Sequence, residues 1–351
     1  MTNKQQPNIL SRQQCSALKG IAILLVIIHN LCHRLNGIDI AENEFTYSLS
    51  NAQNMLDAIL HPTTGLLSQL FTFIGPFGLY LFVFVSGYGL VKKYEQQPIS
   101  TNFGKFMWHN ATKLWRLLIP GSILFFLMRA LLMGDIRTDI PSLVLQTSFF
   151  ANLVPGSTIY PMIFWYLGMA MELYAIYWLI LRRCNTATMF AITLAALLGH
   201  WLLLSGGDPT AIHYYNINFM GWLTPFVYGI YIARHGFPKI ASRYRWLVVI
   251  AMTALALVGQ FNCYTWTLTC IGILYLAISF VKSLSQGWFQ KSICWVGNIS
   301  AIIYIIHPTT RGMFCKITPA VDSYHYIIAY IAVTLILSYL ASKILLPRRK
   351  A

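Results

Sequence analysis

Ten apolar stretches divide this chain, at 17–35, 68–91, 112–133, 161–181, 187–204, 217–233, 245–261, 264–282, 294–314 and 325–346. Each is long enough to cross a hydrocarbon layer about 30 Å thick as a helix. Runs of this kind leave little choice of fold, and the expected class is all-α: a polytopic membrane protein with about ten transmembrane helices. Composition agrees, since 57% of the residues are apolar and 10% charged, against about 25% charged in an ordinary soluble protein.

Charge supplies an independent test of the span count. An even number of spans returns both termini to one face. Of the 25 Lys and Arg, 20 fall on that face, and only Arg34, Arg129, Arg137, Arg311 and Lys316 on the other. Eight of the ten acids lie on the second face; Glu95 lies with the termini and Glu172 inside a span. The positive-inside rule then places both termini in the cytoplasm of a multi-pass protein of the cytoplasmic (inner) membrane. The net charge of +15 reads as a topology signal and a basic rim able to meet anionic lipids or ligands, and no nucleic-acid partner is expected. One transmembrane domain, 17–346, is expected between a polar cytoplasmic segment 1–16 and a basic cytoplasmic C-terminus 347–351. The first run has no cleavage-site pattern behind it and should stay as a signal anchor. The outer loop 36–66 carries Asp39, Glu42, Glu44 and Asp57, and the apolar stretch 142–153 is too short to span. Among seven cysteines there is no CxxC pair, and a Cys32–Cys315 bridge is one option.

Inside the spans, polar residues are costly and mark sites by default. At about 1.5 Å per residue from Lys19, His29 lies roughly 15 Å deep, near mid-membrane. His33 is four residues on and shares its helix face. His307 and Arg311 repeat that spacing in the ninth span, after Tyr304, and Glu172 lies halfway along the fourth. Arg129 and His200 occupy outer halves of their spans. Each could instead be a helix-to-helix hydrogen bond or a snorkelling side chain. Two histidines at this spacing without an acidic or cysteine partner set give no metal site. Together the residues suggest a polar cavity in the middle to outer half of the bundle, above a basic collar at Lys92, Lys93, Lys113 and Arg116.

Five segments in order resemble the acyltransferase-3 family of integral membrane acyltransferases. Lys19-Gly20-Ile21-Ala22 to His29 is similar to its opening pattern, and Phe82 to Leu90 to its FF-x-x-SG-aromatic segment. Lys113-x-x-Arg116-Leu117-Leu118-x-Pro120 resembles its basic third-helix start, and Trp165-Tyr166-Leu167 with Tyr174 its W-x-L segment. Ile299-Ser300 through Tyr304 to His307-Pro308 resembles its late S-x-x-x-Y-x-x-H-P stretch. Two positions depart from the pattern. Asn30 stands where the family's spacing would put the histidine, and Ala170 and Met171 stand where it often has an acid, with Glu172 following.

The resemblance implies acyl transfer from cytoplasmic acyl-CoA, most simply acetyl-CoA, to a hydroxyl, best a carbohydrate hydroxyl of a glycan acceptor in a lipid environment. His29 is then the general base, with Glu172 carried as a second catalytic residue. Lys19, Ser86, Lys113 and Arg116 would hold the donor, Gly87 and Gly89 would permit close backbone approach, and His33, His307 and Arg311 would meet the acceptor. A neutral imidazole suits the base role, and an acyl-histidine route is also open. A transporter, flippase or polymerase of lipid-linked glycans would also want a polar cavity and basic collar. The absence of an internal repeat argues against the transporter folds built on one.

Overall fold

The computed structural model describes residues 9–40, 45–97, 99–134, 138–316 and 319–345. Glu42, Glu44, Arg137, the start of the N-terminal segment and the basic C-terminus 347–351 lie outside the described residues. The protein is 78% helical with no strand among the described residues. The helices are α1 (Arg12–Cys32), α2 (Leu49–Leu60), α3 (Leu66–Ile74), α4 (Phe77–Tyr94), α5 (Phe103–Met133), α6 (Ile140–Thr147), α7 (Trp165–Ile176), α8 (Thr186–Gly206), α9 (Pro209–Ile217), α10 (Leu223–His235), α11 (Ser242–Leu257), α12 (Cys263–Trp266), α13 (Thr269–Ser283), α14 (Trp288–Asn298), α15 (Ser300–Phe314) and α16 (Tyr324–Leu345).

Eight segments are long and apolar enough to cross a membrane, and α14 with α15 make a ninth if the pair, bent by 73°, is one span. The sixth expected span, 217–233, is built from a 3₁₀ turn, Phe219–Trp222, that runs into the 13-residue α10, and so is shorter than the other spans. Asn218 has extended backbone and interrupts the helix there. The first span starts earlier than its apolar run. Ser11 accepts from Gln14 N–H at 3.1 Å while Gln14 accepts from Ser11 N–H at 2.9 Å, a reciprocal cap that starts α1 at Arg12.

The start of α1 and the end of α16 lie at one end of the bundle, with α14 between them. Cys294 Sγ donates to the Gln13 carbonyl at 3.2 Å, and the rings of Trp295 and Tyr339 are 5.9 Å apart. The same end holds Arg234, whose guanidinium donates twice to Glu95, each at 2.9 Å, and also to the carbonyls of Leu181 and Cys184. One charge-assisted fork therefore ties the ends of α4 and α10 together and to the π-helical segment Tyr177–Leu181 that continues α7. α1 is the axis of the molecule: 67% of its apolar window is buried, against 17% for α8 and α11, which turn their faces to lipid. Cys32 and Cys315 are free thiols, so the bridge considered from sequence is absent.

Candidate active site

His29 is fully buried, and its Nδ1 lies 2.8 Å from the Thr72 carbonyl. A carbonyl only accepts, so Nδ1 carries the proton and Nε2 the lone pair. The sequence explains why that carbonyl is available. In a continuous helix Thr72 would accept from the backbone N–H of residue 76, but residue 76 is a proline and has none. The second expected span, 68–91, accordingly breaks into α3 and α4 at Gly75-Pro76. The break closes on the histidine: a Cβ at Gly75 would come within 2.1 Å of His29 Cβ.

His307 is held by the same device. It is fully buried, its Nδ1 is 3.3 Å from the Ile303 carbonyl, and its ring also bonds the Tyr304 carbonyl, whose helical partner would be the missing N–H of Pro308. Tyr304 itself donates its hydroxyl to the Ile163 carbonyl and packs its ring 5.9 Å from His307.

Arg311 connects the two histidine helices. Its guanidinium donates to Asn30 Oδ1 at 2.6 Å, and its charge lies close enough to act on both His29 and His307. Asn30, nearly fully buried, in turn donates to the Val26 carbonyl at 2.9 Å. His33 donates from Nδ1 to the His29 carbonyl at 2.8 Å, with the two rings 5.0 Å apart. The fold thus brings His29, His33, His307 and Arg311 together, as grouped from sequence. It adds Asn30, Thr72, Gly75 and Pro76, to which no role had been given. The signal that was present is a proline inside an apolar run.

Two cavities share Lys19 and Asn298. One, of about 580 Å³, is basic, with Arg12, Lys19, Lys92 and Lys93 on its walls. The other, of about 220 Å³, is largely apolar, lined by Val26, Leu79, Phe82, Leu117, Tyr166 and Tyr304 among others. Lys19 therefore stands where a charged chamber meets an apolar one that ends against Tyr304, the neighbour of His307. Lys113 and Arg116 are exposed on α5, beside Lys93 and His109, and do not line either chamber. Ser86 faces the hydroxyls of Tyr166 and Tyr174. Gly87 serves packing, since a Cβ there would meet the Phe226 carbonyl at 2.3 Å, whereas Gly89 has open space and lines the basic chamber.

Three residues expected near the site lie apart from this cluster. Glu172 accepts from Phe219 N–H at 2.9 Å, holding the start of the 3₁₀ turn, and its Oε1 is buried with no hydrogen-bond partner among the described residues. His200 stacks on Tyr215 at 4.7 Å in a separate cavity of about 30 Å³. Arg129 packs over the rings of Phe125 and Tyr160. Among the described residues, His, Cys, Asp and Glu form no group of three that could hold a metal ion.

An apolar helical bundle with eight or nine segments able to cross a membrane, buried imidazoles and two adjoining chambers, one basic and one apolar, has the make-up of an integral membrane protein. The acyltransferase-domain family model matches residues 15–343, nearly the whole chain, and the protein belongs to that family: it is a membrane acyltransferase. No curated protein and no solved structure gives a significant match.

Proposed function

We propose that the enzyme transfers a short acyl group, acetyl in the simplest case, from acyl-CoA to a carbohydrate hydroxyl, with His29 as general base. The observation that carries this reading is the pair of chambers joined at Lys19. A CoA thioester has several phosphate charges at one end and a long, weakly polar arm at the other, and the two chambers offer that succession. Arg12, Lys19, Lys92 and Lys93 take the phosphates through charge-assisted hydrogen bonds. Lys113 and Arg116 add to the field outside the chamber, and the Ser86 hydroxyl lies alongside the arm's path.

In the transfer, the lone pair on His29 Nε2 accepts the hydroxyl proton as the acceptor oxygen forms its bond to the thioester carbon. The carbon–sulfur bond breaks, and the leaving thiolate takes the proton from His29 Nε2, which restores the neutral imidazole. Arg311 stabilises the oxyanion, and His307, whose Nδ1 proton is held by backbone carbonyls, helps with His33 to bind the acceptor by receiving a hydroxyl hydrogen bond at Nε2. Glu172, engaged by Phe219 N–H, contributes by holding the turn before α10 rather than by moving protons. The basic end is cytoplasmic in this reading, and the membrane is the inner membrane.

The test is glycan-dependent release of free CoA thiol from acetyl-CoA by the purified protein. Release with candidate glycans supports the full reading. Release only with a non-carbohydrate alcohol overturns the acceptor class, and none with any acceptor overturns the donor.

A further inference from the structure

A third cavity, of about 540 Å³, shares no lining residue with the two just described. Its walls are the segment 237–240 after α10, the first half of α11 and the last turns of α13. Lys239, Arg245 and Lys282 converge on it, Tyr275 and Ser279 add hydroxyls, and no Asp or Glu lines it. α11 begins at Ser242, and Ala241 before it supplies no side-chain cap, so its first turn adds partial positive charge beside Arg245. The cavity belongs to the basic end of the bundle, because it follows directly on Arg234 and its fork to Glu95.

Its surroundings are those of a membrane interface. Tyr244 and Trp246, 48% and 59% exposed, flank it at the start of α11, as aromatic side chains do at headgroup depth. Val249 forms an apolar wall inside the cavity, and Leu247 and Ile250 continue an exposed apolar flank along the same helix. A cationic chamber open to an apolar flank suits a molecule with an anionic head and hydrocarbon tails. A free phosphate would use only the cations.

We propose that this cavity binds the phosphodiester headgroup of an anionic phospholipid, whose acyl chains lie along α11. The site is separate from the chambers assigned to the donor and does not depend on the acyl-transfer reading. Each cation near an anionic headgroup is worth roughly fivefold in affinity.

Native mass spectrometry of the full chain, released from micelles doped with phosphatidylglycerol or phosphatidylcholine, tests it. The parent should retain phosphatidylglycerol in preference to phosphatidylcholine. Lys239→Gln, Arg245→Gln and Lys282→Gln combined should weaken that binding about a hundredfold. Lys105→Gln, Lys291→Gln and Lys343→Gln combined, which remove the same charge elsewhere, should leave it within about twofold. Equal losses in the two triple variants would reduce the effect to net charge and overturn the site. Displacement of the lipid by glycerol 3-phosphate at matching concentration would overturn the lipid assignment. Should the first triple variant not fold, Lys282→Gln alone decides, with an unchanged affinity overturning the proposal.

Discussion

His29 satisfies a backbone carbonyl with one nitrogen and offers a lone pair at the other, so its replacements separate structure from chemistry. Asparagine places an N–H near the position of Nδ1 and has no base at Nε2. His29→Asn should therefore keep the bond to Thr72 and the melting temperature within a few degrees, while acyl transfer falls about 100- to 10,000-fold. His29→Ala should lose the same activity and melt lower as well, because a buried carbonyl left without a donor costs about 1–3 kcal/mol. Turnover by His29→Asn close to that of the parent would move the base elsewhere, His33 first. Asn30 illustrates what residue type alone leaves open. Its place in the pattern marks it as a departure from the family, but its work, receiving the Arg311 guanidinium at 2.6 Å, is visible only once α15 is beside α1.

Helix breaks do at the element scale what hydrogen bonds do at the residue scale. Pro76 ends the hydrogen-bond ladder of α3 one carbonyl early, and that carbonyl orients the imidazole. Pro76→Ala restores an N–H that competes with His29 for the Thr72 carbonyl. The expected outcome is a kcat lower by about 10- to 100-fold, since small misplacements of a catalytic group are costly, with unchanged helical content by circular dichroism and an unchanged KM for acetyl-CoA. An unaltered kcat would show that the Thr72 bond does not position the ring. The bend between α14 and α15 likewise falls at Ile299-Ser300, within the motif that runs to His307-Pro308. An apolar-run reading sees neither the proline interruption within the span Leu66–Tyr94 nor the 73° bend between α14 and α15, because hydropathy is blind to which backbone groups are paired.

Over the whole molecule, charge is distributed by end. The basic chamber lies at the end that carries the start of α1 and the end of α16, while acids such as Asp39, Asp57 and Asp208 belong to connections outside the spans. A CoA ester is repelled by the acidic face and drawn to the basic one, whereas a neutral sugar is indifferent to either. Acyl transfer in sealed, oriented vesicles should therefore proceed only with acyl-CoA on the face of the termini and the glycan opposite. Equal rates with both substrates on the terminal face would overturn the vectorial mechanism and leave acyl transfer itself standing. What the sequence determined by itself was the helical membrane class and the family, since run length and short motifs are properties of a strand of residues read alone. It also pointed to His29, His33, His307 and Arg311, because an ionisable group is conspicuous in an apolar run. Only the tertiary structure decided that 217–233 is a turn and a short helix, that Lys19 rather than Lys113 stands where the two chambers meet, and that Glu172 bonds Phe219. Those outcomes, like the bonds of His29 to Thr72 and of Asn30 to Arg311, rest on contacts between residues far apart in the chain, and no local pattern encodes which partners packing will bring together.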